Sequence, residues 1–161
     1  MKKLIVILFF IFSANFIIIA QDYKTGIGLR VGLDWGFSVK HFLNENQAIE
    51  GIIGSRWKGF LITGLYEFEN PAFNIPGLAW YYGVGAHLGY WKENNYDIYW
   101  WENDHTGGYT ILGADAIMGI GYTFNNVPVN ISIDWKPAIN FFGDVSFWAD
   151  MGAVTVMYAI K

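Results

Sequence analysis

The chain is predicted to be all-β, an eight-stranded antiparallel up-and-down barrel, from three observations. In Val127–Lys136 the odd positions Val127, Val129, Ile131, Ile133 and Trp135 are apolar, whereas Asn130, Ser132, Asp134 and Lys136 are polar. Successive strand residues point to opposite faces, so this segment has one apolar and one charged face. The same alternation recurs in eight segments divided by turn residues. Aromatics at 19% and 19 glycines suit a closed sheet with aromatic rims and an uncrowded interior.

The chain opens with Lys2 and Lys3, followed by the apolar run Leu4–Ala20, broken only by Ser13 and Asn15. This reads as a cleavable signal peptide over 1–20, cut after Ala20, leaving a single domain over 21–161. The competing reading, a permanent helix, has about 17 residues, near the lower limit for spanning, and no basic stop-transfer cluster follows it. The chain has no cysteine, which excludes a disulfide-stapled domain and a lipid-anchored cysteine. Without Lys2 and Lys3, eight basic residues face 14 acidic ones, a net charge of about −6. An acidic chain with no basic cluster is not a nucleic-acid binder.

The first strand is expected at Thr25–Asp34, with Ile27, Leu29, Val31 and Leu33 opposite Gly26, Gly28, Arg30, Gly32 and Asp34. After a connection at Trp35-Gly36, Phe37–Leu43 sets Phe37, Val39 and Leu43 against Ser38 and Lys40, with His41 on the apolar side and Phe42 on the polar side. Asn44–Gln47 is a polar turn. Ala48–Trp57 opposes Ile49, Ile53 and Trp57 to Glu50, Gly54 and Arg56, and Lys58-Gly59 turns the chain into Phe60–Glu69. There Phe60, Ile62, Tyr66 and Phe68 oppose Thr63, Glu67 and Glu69.

Asn70–Gly77 contains Pro71 and Pro76 and is expected to be a connection. Leu78–Trp91 directs Tyr82, Val84, Ala86, Leu88 and Tyr90 outward and Tyr81, Gly83, Gly85, His87 and Gly89 inward. The longest loop spans Lys92–Gly108. Tyr109–Asn125 directs Leu112, Ala114, Ala116, Met118, Ile120, Tyr122 and Phe124 outward. Asn125-Asn126 leads into Val127–Lys136, and Asn140–Asp144 into Val145–Ile160, whose clearest apolar row is Val154, Val156, Tyr158 and Ile160. Pro137 requires a strand end or bulge, and Asp150, on the parity of Val154, requires a bulge near Gly152 or a rim position.

Eight strands make the smallest common closed transmembrane barrel, and about 9–11 tilted residues cross a bilayer. The prediction is therefore an eight-stranded transmembrane β-barrel whose outward rows meet lipid.

Four short runs carry a resemblance: Gly26-Ile27-Gly28-Leu29-Arg30, Lys40-His41-Phe42-Leu43, Ala48-Ile49-Glu50-Gly51 and Gly64-Leu65-Tyr66-Glu67. On these runs and the barrel pattern, Gln21–Lys161 resembles the small OmpA-type outer-membrane β-barrels, nearest in style to single-domain members from Bacteroidetes. The resemblance implies export to the outer membrane of a Gram-negative bacterium, outer-membrane lipid and the assembly machinery as partners, and porin-like architecture without a cofactor.

The inward row collects Arg30, Asp34, Lys40, Glu50, Arg56, Glu67, His87, Asp115, Asp134 and Lys136. Eight strands enclose just enough room for side chains, and buried charges must be paired. The expected result is a salt-bridged plug; a sharper alternative is an ion gate in which pairs such as Glu50–Arg56 exchange partners. In Glu93–His105, the residues Tyr96, Asp97, Trp100, Trp101, Glu102 and Asp104 are candidates to contact an extracellular ligand, a cation or a sugar. The plainer reading is an aromatic girdle running into an acidic surface loop. The spacing is not that of a calcium loop, so no metal is expected.

No enzyme is expected. A catalytic site needs a nucleophile or an Asp–His pair within hydrogen-bond reach. Asp104-His105 are adjacent, His41 and His87 lack a serine neighbour, and no Gly-x-Ser-x-Gly occurs. The expected function is a structural or surface-interaction barrel with at most slight pore activity. The alternative is a secreted soluble lipocalin-like barrel carrying an apolar ligand, which would turn Ile131 and Ile133 inward and Asp134 and Lys136 to water. Charges of both signs on the polar face and aromatics near strand ends favour the membrane, and a mean hydropathy of +0.26 is compatible with a barrel whose alternate residues face the lumen.

Overall fold

The computed structural model describes residues 23–56, 59–92, 108–143 and 145–160. They form ten strands: β1 (Thr25–Gly32), β2 (Trp35–Phe42), β3 (Gln47–Arg56), β4 (Gly59–Pro71), β5 (Leu78–Trp91), β6 (Tyr109–Thr123), β7 (Val129–Trp135), β8 (Ala138–Phe142), β9 (Phe147–Trp148) and β10 (Gly152–Ile160). Consecutive strands pair antiparallel from β1 through β6. β6 then pairs with both β7 and β8, and β10 lies between β7 and β1, which closes the sheet. β7 with β8, and β9 with β10, each make one interrupted stave, so the barrel is eight-stranded and up-and-down.

The interruptions follow from local chemistry. Pro137 cannot donate to a ladder. β7 ends at Trp135, and the chain resumes at Ala138 against Asp115 of β6. In the last stave Trp148 and Met151 are both buried, with Ala149 and Asp150 exposed between them. This extra residue shifts the parity, so Ala153, Thr155, Met157 and Ala159 face inward in β10. Asp150 thus sits at the rim beside an irregularity just before Gly152.

Several boundaries differ from the sequence expectation. Trp35 and Gly36 belong to β2, and the connection is Leu33-Asp34. Asn70 and Pro71 extend β4, paired with Trp80 and Ala79. The turn after β6 covers 124–128, because Pro128 has no N–H to continue a ladder. Asn140–Phe142 lie in β8. In the turn after β4, Gly77 adopts φ +83°, a left-handed conformation that a side chain disfavours. Trp57, Lys58, Asp144, the 1–20 segment and the 93–107 loop, with all its candidate contacts, lie outside the described residues.

The alternation resolves into two surfaces. Outside, β4 reads Phe60, Ile62, Gly64, Tyr66, Phe68 and β5 reads Trp80, Tyr82, Val84, Ala86, Leu88, Tyr90. Aliphatic or small residues thus form the middle and aromatics the ends. Near the end at which β1 begins and β10 finishes, Phe68 stacks on Tyr82, Tyr82 on Trp80, and Tyr122 meets Phe124 edge-on. Inside lie the charged residues and three apolar clusters.

Glycines separate the two surfaces sharply. A Cβ on Gly28 would collide with the Val156 carbonyl oxygen and the Met157 side chain, whereas one on Gly51 meets nothing within 4 Å. Gly28→Ala is therefore expected to destabilise the barrel. Gly51→Ala is expected to be neutral or stabilising by up to about 1 kcal/mol, through lost unfolded-state freedom. Urea unfolding of the two variants checks this, and equal losses from both would contradict the assigned packing.

Candidate functional site: the charged lumen

The ten charged or titratable lumen residues expected from the sequence are all buried: Arg30, Asp34, Lys40, Glu50, Arg56, Glu67, His87, Asp115, Asp134 and Lys136. The pleat turns them inward, and the register decides who meets whom. Three groups result, stacked from the terminal end to the end carrying the long 92–108 connection.

In the terminal half, Lys40 on β2 pairs in register with Glu50 on β3. Its Nζ lies 2.8 Å from Glu67 Oε2 and 2.8 Å from Glu69 Oε2, both on β4. Ser38 donates to Glu50, and the Lys40 ammonium sits 4.3 Å from the centre of the Tyr81 ring. Tyr23, Phe42, Ala48 and Ala159 cover the mouth below.

At mid-barrel, Arg30 grips Asp134 with both terminal nitrogens, at 2.8 and 2.6 Å, and its Nε reaches Asp34 at 3.2 Å. A bidentate fork of this kind is the strongest common ion-pair geometry. Tyr81 donates to Asp134 at 3.0 Å, joining this group to the one below. Lys136 bridges Asp34 and Asp115 at 3.3 and 3.2 Å. Asp115 meets His87 Nδ1 at 2.8 Å, and His87 Nε2 faces Asn140 Oδ1 at 2.7 Å.

At the far end, Leu61, Trp91, Ile111, Ala138, Trp148 and Met151 form an apolar plug. His87 stacks on Trp148, and the Arg56 guanidinium lies 4.7 Å from that ring. Arg56 Nη2 binds the Asp150 carboxylate at the rim, at 2.8 Å. Partial burial pushes the Asp150 carboxyl up, but the hydrogen bond and charge of Arg56 together outweigh this and hold it below the usual carboxylate range. A depressed folded-state pKa gives stability that is present above the unfolded value, about 3.9, and lost as pH falls through the folded one. The Asp150 side chain is 55% exposed, so solvent screens the pair and the effect is small. The stability gap between wild type and Asp150→Asn is expected to narrow in acid; thermal unfolding followed from neutral to acidic pH reads it.

Glu50 and Arg56 do not form the exchangeable pair proposed above. Six residues apart on β3, they are separated by roughly 20 Å along the strand; Glu50 meets Ser38 and Arg56 meets Asp150. Glu69, Asn140 and Thr155 also join the network, beyond the ten residues the sequence points to. Glu69 shares the parity of Glu67, which is the available signal, whereas Asn140 falls in a stretch that reads as a loop and in fact lies in β8. Chemically the arrangement is a filled interior. The cavity among Lys40, Glu50, Glu69 and Tyr81 has room for about one water molecule. No family model, curated protein or solved structure matches the chain.

Proposed function

We propose that the protein is a non-enzymatic outer-membrane β-barrel with a structural or surface-interaction role and at most slight pore activity. In this reading it is exported by the 1–20 signal, inserted by the outer-membrane assembly machinery and related in kind to the OmpA-type barrels it resembles. The observation that carries it is the outer surface. Ile27, Leu29, Val31, Ile53, Ile62, Val84, Leu88, Ile133 and Val154 are each 43–67% exposed around a closed sheet, and aromatics flank them toward the strand ends. In water this continuous apolar belt is a liability; in a bilayer it is the required surface.

The lumen supports the same reading. A soluble carrier of an apolar ligand needs a roomy apolar interior, but here paired charges occupy the middle and apolar clusters cover both ends. The candidate ligand contacts belong to the stretch between β5 and β6 that lies outside the described residues.

The test is gel mobility of the membrane fraction, unboiled against boiled. A faster unboiled band from the outer-membrane pellet is the expected result. Recovery in the soluble fraction without a mobility shift would refute the proposal and revive the lipocalin-like carrier.

A further inference from the structure

The ion pairs of the mid-barrel form a single file of alternating sign. Arg30 grips Asp134 and reaches Asp34 at 3.2 Å, Asp34 meets Lys136 at 3.3 Å, and Lys136 meets Asp115 at 3.2 Å. Asp115 then meets Nδ1 of His87 at 2.8 Å, where the file ends on an imidazole. All six residues are buried. With that ring neutral, the two cations Arg30 and Lys136 serve three carboxylates, those of Asp34, Asp115 and Asp134. A surplus carboxylate in a dry interior is costly. A cation at His87 brings the file to three against three.

Both ring nitrogens of His87 face oxygen. Nδ1 has Asp115 Oδ2 at 2.8 Å, and Nε2 has Asn140 Oδ1 at 2.7 Å. A neutral imidazole pairs one donor nitrogen with one acceptor, whereas the imidazolium has two donors. Asn140 keeps its oxygen toward the ring while its Nδ2 donates to Ser146 Oγ at 2.8 Å. The other elements packed around the ring supply space and apolar contact. β4 sets Thr63 opposite His87, and β6 sets Gly113 there, where a Cβ would collide with His87 Cε1. β9 lays Trp148 nearly parallel to the ring, with centroids 5.6 Å apart. Arg56 of β3 reaches the same indole and binds Asp150 at the rim.

We propose that His87 is the imidazolium that ends this file, donating to Asp115 and Asn140, and that its proton fastens the charged middle of the lumen to the apolar plug beyond it. Binding is a simple equilibrium: the imidazole takes one proton from solvent, and both ring N–H groups then meet an oxygen. The cation also lies against Trp148, whose indole face attracts positive charge and which belongs to the plug with Trp91 and Met151. Loss of the proton leaves one carboxylate in surplus and sets two acceptors against each other across the His87–Asn140 contact. The file lies inside the sheet, so the assignment holds whatever covers the outer face.

Nitrogen NMR of the full chain, folded in detergent at neutral pH, tests this directly, because ring nitrogens with and without hydrogen resonate in separate ranges. The chain has three histidines, His41, His87 and His105, so the double variant His41→Gln with His105→Gln leaves His87 as the single imidazole. His41 bonds Thr25 and takes no part in the file. The expected result is two N–H nitrogens on the His87 ring. Adding Asp115→Asn, which removes one carboxylate from the file, should return the ring to a single N–H. A ring with one N–H in the double variant overturns the proposal, as does a second N–H that survives Asp115→Asn. Absence of any doubly protonated ring from the wild type overturns it as well, even if the variants do not fold.

Discussion

On the proposed membrane reading, replacing Ile131 with arginine is expected to lower the unfolding free energy of the barrel in vesicles by roughly 2–4 kcal/mol. Ile131 lies on the outer face of β7, paired with Val156 of β10 and Tyr122 of β6. In that reading an arginine there carries its charge into hydrocarbon or distorts the bilayer to reach water. The neighbouring Ser132 points inward, opposite Thr155 and Gly121, so Ser132→Arg acts by overfilling the lumen, and its effect should not depend on lipid. Urea unfolding in vesicles and in detergent separates the two. If Ile131→Arg stays within about 0.5 kcal/mol, the ordinary range for a water-exposed site, that face does not meet lipid.

Arg30→Ala should cost more, about 3–5 kcal/mol, because it strands its partners in the interior. Asp134 would lose its bidentate partner and keep only Tyr81, and Asp34 would keep only Lys136. The penalty comes chiefly from the unpaired charges left behind, so removing both members of the pair should recover part of it. The double variant Arg30→Met with Asp134→Leu is therefore expected to be more stable than Arg30→Ala. Unfolding of the three proteins under the same conditions measures the coupling. A loss below about 1 kcal/mol for Arg30→Ala, the scale of an exposed pair, would mean that the lumen is wet enough to screen these charges.

The fold was legible because a strand reports its own two faces. Outward rows such as Tyr82-Val84-Ala86-Leu88-Tyr90 and inward rows such as Arg30, Lys40 and Glu50 follow from a period of two, without knowledge of any partner. Partner choice is another matter. Arg30 and Asp134 are 104 residues apart, and only the closure of β10 between β1 and β7 brings them together. The Glu50–Arg56 pair of the alternative ion gate does not form, for the converse reason: nearness in sequence along an extended strand is distance in space.

The last two staves show the same limit. Pro137 announced a break, but nothing local indicated that Ala138–Phe142 would resume pairing with β6, since that depends on the length of β6 itself. Asp150 was correctly a sign of irregularity. Its partner, Arg56, lies 94 residues away across the mouth. Inward apolar residues such as Ile111, Ile117 and Met151 were overlooked because an apolar side chain satisfies either face. Charge, by contrast, is tolerated inside only where the register supplies an opposite charge.

The outward face is the centre of the account, and a chain without cysteine allows it to be probed at a single point. Val154, the third residue of β10, lies midway along the stave that β9 and β10 form, exposed on the outer face and paired with Val31 and Ile133. A fluorophore attached to Val154→Cys, in the folded barrel reconstituted in vesicles of bromine-labelled lipid, is predicted to be quenched by the lipid and shielded from aqueous iodide. Quenching by iodide with indifference to the brominated lipid would contradict the membrane-embedded barrel.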